Sequence, residues 1–489
     1  MVDLADHNPR GLLVAFLMAL LLLASPHSKS ETFGWDSGFL EPALDGNVFA
    51  SVILEGDLVV AGEFLSAGGT VVNRIARWDG ETWSGFSGPN GTGISGTVQA
   101  LAVYEGNLIA GGDFSQAGGQ TVNHIARWDG EAWSGFNGPN GTGMNDSVLA
   151  LTIHNGELIA GGNFVEAGGQ TVNHIATWDG ENWSGFSDAD GTGVSAQVRA
   201  LTILEDDLVV GGGFTHAGGE EVNHVALWDG ENWSGFDGPE GLGVDDTVQS
   251  LKVHQGDLFA GGFFTLAGGQ TVNRIARWDG DGWSGLSGPE ATGTFGVPRT
   301  FITHGGDLVV GGSILEAGGE TVNWIARWDG QIWSGFSGPD GTGMNEQVRT
   351  LALHEDELVA GGDFTEAGGI FASHLAKWRR EMTATEILHV DDEQIDPGQP
   401  VLVLARAIGS VSTPDGGNRG RIEADSGEYC EGTLFGQLAN FSCEIILTTP
   451  GARTITARYT GSAFYTPSQS APVILEVNKG IFEDRFERP

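Results

Sequence analysis

Between Val48 and Trp378 the apolar positions fall into short runs that recur every 50 residues without drift. In the second copy, Val-Gln-Ala-Leu-Ala-Val at 98–103 alternates apolar residues, and Leu-Ile-Ala-Gly-Gly at 108–112 follows across a tight Glu-Gly-Asn turn. A loop ending in Ala-Gly-Gly-Gln-Thr-Val-Asn leads to His-Ile-Ala-Arg-Trp at 124–128, and Asp-Gly leads on to Glu-Ala-Trp-Ser-Gly-Phe at 131–136. Alternation at period two, bounded by Gly, Asn and Asp, predicts four short antiparallel strands per copy. A two-residue hairpin turn at Asp129 and Gly130 sets Trp128 opposite Glu131 and Ala126 opposite Trp133, one large residue against one small.

One such sheet cannot bury both of its faces, whereas a ring of them can. Trp78, Trp128, Trp178, Trp228, Trp278, Trp328 and Trp378 mark one phase of the repeat; Trp83, Trp133, Trp183, Trp233, Trp283 and Trp333 mark another, one short of seven. The segment Gly-Trp-Asp-Ser-Gly-Phe at 34–39 has the wording of the missing outer strand. It is expected to pair with the edge left open at Trp378, which an unfinished sheet needs, with Asp36 as one extra residue in a local bulge. The expected fold is therefore all-β: a seven-bladed β-propeller of 50-residue four-stranded repeats closed by an N-terminal strand.

The glycine pair ending the second strand and the tryptophan of the fourth, at this period, resemble kelch-type propeller repeats. The wording Ala-Gly-Gly, then Asn, then Ile-Ala-x-Trp-Asp-Gly is similar to a secreted, kelch-related variant. The resemblance bears on fold and leaves function open.

After Trp378 the wording changes. Alternating runs with turns at Pro397-Gly398, Asp415-Gly416 and Pro450-Gly451 predict a C-terminal β-sandwich. Gly451 to Ser470 resembles bacterial immunoglobulin-like (Ig-like) domains. The expected division is a signal peptide at 1–30, the propeller at 31–380, the Ig-like sandwich at 381–478 and a tail at 479–489. The signal reading rests on the apolar run Gly11 to Ala24, too short for a membrane span. It implies export, to the medium, the cell surface or the periplasm, with no membrane span after cleavage. The tail, Gly-Ile-Phe-Glu-Asp-Arg-Phe-Glu-Arg-Pro, resembles short aromatic and acidic endings of some secreted proteins, with Arg485 where glycine is expected. Cys430 and Cys443, the two cysteines, are expected to form a disulfide across a hairpin.

Composition narrows the partners. Glycine at 80 of 489 residues with 40% hydrophobics suits a turn-rich folded chain. A net charge of −41, from 23 Lys and Arg against 64 Asp and Glu, repels phosphate backbones and argues against nucleic acid. The surplus suits solubility in a salty medium, with divalent cation binding as the alternative.

No nucleophile set, phosphate loop or HExxH pattern stands in the chain. The histidines fall in two repeat registers, His124, His174, His224 and His374 in one and His154, His254, His304 and His354 in the other, one blade apart rather than converging on an ion. The loop-rich side of the disk, carrying the second-to-third and blade-to-blade loops, is the candidate binding face. On it the residue after each glycine pair varies, which makes Glu63, Asp113, Asn163 and Asp363 candidate ligand contacts; Trp324 is a candidate for sugar stacking. Asp188 and Asp190 echo a calcium loop without its bidentate Glu, so no cofactor is expected and Ca2+ there is the alternative.

The leading reading is a non-catalytic interaction module that binds protein or glycan at the cell surface. A carbohydrate-active hydrolase or lyase, with a pair such as Asp113 and Asp363 as acid and base, is one alternative. A purely structural envelope protein is the other.

Overall fold

The structure, a computed structural model, describes residues 34–39, 43–138, 141–189, 191–238, 241–288, 291–338, 341–379, 383–390, 394–395, 397, 400–409, 419–433, 440–459 and 468–477. The expected signal peptide, the tail and Asp190 lie outside them. Seven four-stranded antiparallel sheets form the repeat region, each running from an inner first strand to an outer fourth. In the second blade the order is Thr97–Tyr104, Asn107–Asp113, Ile125–Trp128 and Trp133–Gly135. In the seventh, Val348–His354, Glu357–Gly362 and Leu375–Arg379 are completed by Gly34–Asp36 from the start of the chain. Trp35 pairs with Trp378, as Trp83 pairs with Trp78 in the first blade.

The core lies between blades. Val59, Ala61 and Ile75 of the first blade pack with Leu108, Ala110, Ala126 and Trp128 of the second, while Leu58, Val60 and Ala76 face Ala352, Val359 and Leu375 of the seventh. Alternation along each strand thus feeds two interfaces at once, which only a closed ring satisfies at every sheet. The glycine pair allows this approach: a Cβ on Gly111 would sit 2.6 Å from a methyl of Val148 in the next blade.

The hairpin register differs from the sequence expectation. Trp128 pairs with Trp133 and Ala126 with Gly135, so the connection is the four-residue loop 129–132. The cause is Asp129, whose Oδ1 accepts the backbone N–H groups of Glu131 and Ala132 at 2.9 and 2.8 Å. A carboxylate that satisfies two loop donors stabilises the longer turn over a two-residue one. The two indoles consequently lie together, ring centroids 5.5 Å apart, and Phe86 of the preceding blade closes the group at 5.5 and 6.0 Å. The same three-ring group recurs at Phe136, Trp178 and Trp183, and at Phe186, Trp228 and Trp233.

The chain start serves two of these groups. Trp35 joins Phe336 and Trp378, and four residues later Phe39 joins Trp78 and Trp83. The extra residue falls between them, where the N–H of Gly38 donates to Asp36 Oδ1 at 3.0 Å.

The C-terminal strands form a sandwich. Thr383–Val390, Pro400–Gly409 and Asn440–Ile446 make one sheet; Arg419–Ala424, Tyr429–Thr433, Gly451–Tyr459 and Val473–Val477 belong to the other. Val401, Val403 and Ala405 are buried, as are Ile455 and Ala457, at every second position. The Cys430–Cys443 disulfide forms, yet it does not bridge a hairpin. Tyr429–Thr433 pairs with Arg419–Ala424 and Asn440–Ile446 pairs with Pro400–Gly409, so the bond ties one sheet to the other. Strands adjacent in sequence here switch sheets, as a sandwich allows.

Candidate functional site

The first strands line the centre of the ring, and each carries a β-bulge near its start, as between Val98 and Ala100. The bulge leaves one unpaired residue per blade, and these form a register: Phe49, Gln99, Leu149, Arg199, Gln249, Arg299 and Arg349. A bulge re-aims the side chain it carries. Phe49, Arg199, Gln249 and Arg299 line a central cavity of about 240 Å³, together with Ser51, Ser250, Thr300 and Thr350 and an apolar girdle including Leu151, Leu201 and Phe301. Because the first strand begins where the blade-to-blade loop ends, this cavity opens on the loop-rich side.

That side is built of ordered hairpins. Gln116–Ala117 pairs with Gln120–Thr121 across Gly118 and Gly119, and Ile94 from the preceding blade bridges to Ala117. Asn123 holds the next loop by donating to the carbonyl of Thr142 at 3.0 Å.

The three arginines have different surroundings. Arg349 donates from Nε and Nη2 to the two carboxylate oxygens of Asp363 at 2.6 and 2.8 Å, and its guanidinium lies 4.6 Å over the ring of Phe49. Gln347 also donates to Asp363. Fourteen residues beyond Arg299 and Arg199, in the register of Asp363, stand Ser313 and Gly213. Nε of Arg199 and Nε of Arg299 are buried without a protein acceptor. Burial pushes the Arg199 guanidinium down from its ordinary value. For Arg299, burial acts first, then the positive charges of Arg349 and Arg199, against Asp363. Guanidinium does not give up its proton in proteins, so both groups keep their charge in these surroundings.

Asp363 is thus a partner of Arg349 rather than a free carboxylate. Asp113 is exposed and stands 3.8 Å from Nδ1 of His124; Glu63 is exposed. Nδ2 of Asn163 donates to Oγ of Ser147 at 2.9 Å. Trp324 is half-buried and packs against the hydrophobic core. Oδ1 of Asp188 accepts the N–H of Gly191 at 3.0 Å, closing its own loop. Among the described residues no group of three or more His, Cys, Asp or Glu is placed to hold a metal. Sequence reasoning missed Arg199 and Arg299; the signal was three arginines in one repeat register of a strongly acidic chain.

Two of the histidines bridge adjacent blades. Nε2 of His154 lies 2.8 Å from the carbonyl of Asp206, and Nδ1 of His254 lies 2.9 Å from Oγ1 of Thr303, each in the next blade. Burial pushes the imidazoles of His174, His224 and His374 below their ordinary value of 6.5. As pH falls the unfolded chain takes up these protons first, so their contribution is complete above the unfolded value and is lost as pH passes down through the folded one. We expect the melting temperature to fall as pH drops through and below about 6.5, above the carboxylate range. His174→Asn, with a side chain tolerant of the left-handed backbone (φ 70°), is expected to flatten that slope. A melting temperature constant over this interval would refute the assignment.

Residues 106–128 match the family described as a domain of unknown function (DUF5122) beta-propeller. No curated protein matches the chain. Among solved structures it is similar to two of the extracellular domain of BT4673 from B. thetaiotaomicron, titled there a hybrid two component system and a one component system. Identity is 11% in both, with TM-scores of 0.45 and 0.42 over 93% and 94% of this chain. The chain spans 59% of the length of each.

Proposed function

We propose that the chain is an exported binding module of kelch-related propeller repeats, which presents its loop-rich face to a protein or glycan at the cell surface and carries out no chemistry. The observation that carries this reading is where the repeat pattern breaks. Residues shared by all blades are used for packing, while variable polar ones stand at the strand ends of the loop-rich side: Arg199 and Arg299 line the central cavity, and Glu63 and Asp113 are exposed just after the second-strand glycines. Rigid elements that hold varied side chains suit recognition. The carboxylate pair that would serve hydrolysis is compromised by the engagement of Asp363 with Arg349. The sandwich, tied across its sheets by Cys430–Cys443, would space the propeller from whatever holds it.

The test is a glycan and protein array probed with the full chain. Saturable binding without turnover, weakened by Asp113→Ala, is expected. Turnover of a bound glycan, abolished by a single carboxylate change, would replace this reading with an enzymatic one.

A further inference from the structure

The channel mouth joins two features that are unusual in a chain with a net charge of −41: a cavity of about 240 Å³ and a pair of arginines lining it whose Nε groups have no protein acceptor. The seventh blade shows what this register looks like when it is internally neutralised, with Asp363 taking both donors of Arg349. In the fourth and sixth blades the corresponding positions are Gly213 and Ser313, which carry no charge. Ser313 uses its Oγ to accept the N–H of Val297 at 3.2 Å, a purely local bond.

We propose that Arg199 and Arg299 form a clamp for an oxyanion, a carboxylate or sulfate carried by a ligand of about monosaccharide size. This deepens the binding reading above by naming a chemical class for its ligand. The geometry of guanidinium favours planar and tetrahedral oxyanions through paired N–H donors. The cavity wall supplies the rest. Hydroxyls of Ser51 and Thr350 (2.7 Å apart) and the amide of Gln249 offer hydrogen bonds to a sugar ring, while Leu151, Leu201 and Phe301 offer apolar contact to its body. The negative surface of the rest of the molecule disfavours large polyanions at long range, so a single small anion fits better than a phosphate polymer.

The experiment is isothermal titration of the full chain with glucuronate, inorganic sulfate and, as neutral control, glucose. Glucuronate is expected to bind saturably with a Kd of about 1 mM or tighter, glucose not at all. If sulfate competes, the site reads the oxyanion alone; if sulfate fails while glucuronate binds, it reads an organic carboxylate, and either outcome supports the clamp. Arg299→Gln should weaken glucuronate binding by at least about tenfold. Ser313→Asp is the sharper variant, since it gives the sixth blade the carboxylate that the seventh has. It should abolish binding while leaving the melting temperature unchanged or higher, which separates loss of the site from loss of the fold. Absence of binding by both anions, or binding unaffected by Ser313→Asp, would overturn the clamp. Array binding that persists in Arg299→Gln would meanwhile leave the general binding reading standing.

Discussion

Replacing Trp35 and Phe39 together by alanine is expected to destabilise the propeller by about 6–10 kcal/mol, from about 3–5 for each buried aromatic. Both side chains are buried, at 5% and 2% exposure, and they enter different blades. Trp35 completes the three-ring group of the seventh blade with Phe336 and Trp378; Phe39 completes that of the first with Trp78 and Trp83. The segment between them therefore acts as a clasp across the seam. Because the two aromatic groups share no ring, the single substitutions should add. Losses of this size rival the whole stability of an ordinary domain, so the double variant should be largely unfolded at room temperature. Urea titration followed by tryptophan fluorescence would measure this. A double variant within about 1 kcal/mol of the parent would mean that the ring stands without its clasp. Asp36→Ala, which removes only the local bond to Gly38, is the mild control.

The clasp was legible because the repeat has no drift: a tryptophan count of seven against six demands a missing strand, and only 34–39 has its wording. The Trp128–Trp133 register was not legible. Asp-Gly reads equally as a two-residue turn or as the start of a longer loop, and the choice rests on Asp129 capping two N–H groups. The sheet switch at Cys430–Cys443 was hidden for a similar reason, since a short connection is compatible with a hairpin or a crossing between sheets. At the candidate site the loop-rich face could be chosen from loop lengths alone. The arginines could not, because alternation places a residue on one side or the other only while the ladder is regular, and the bulge at Arg199 and Arg299 interrupts it. Asp363 stood out as a variable residue on that face, yet nothing in the sequence paired it with Arg349, fourteen positions earlier.

Gly193→Ala is expected to cost about 2–5 kcal/mol, combining left-handed backbone strain of about 1–2 with overpacking of about 1–3. The residue adopts φ 66°, and a Cβ there would lie 2.3 Å from the carbonyl oxygen of Val172 and 2.4 Å from that of Asn173. Neither neighbour can yield. Asn173 is fixed by its side-chain bond to the carbonyl of Thr192 at 2.9 Å, and its own carbonyl accepts the N–H of Val194 at 3.1 Å. Gly193 itself donates to the carbonyl of Phe186 and accepts the N–H of Gly218 in the next blade. One methyl group would thus press on a junction where two blades are hydrogen-bonded together. Gly180→Ala provides the control, since its φ is 104° but a Cβ would meet nothing within 4 Å. Because φ 104° is at least as strained for an L residue as φ 66°, any excess cost of Gly193→Ala over Gly180→Ala is clash rather than backbone strain. The seam supports the argument: Ala43 takes the corresponding place there, and the preceding blade carries Ser373 where the others carry Asn. With the smaller Ser373 in place of Asn, the methyl of Ala43 is accommodated in a fully buried position. Equal destabilisation by Gly193→Ala and Gly180→Ala would show that the junction yields, and that blade order is held by the aromatic groups alone.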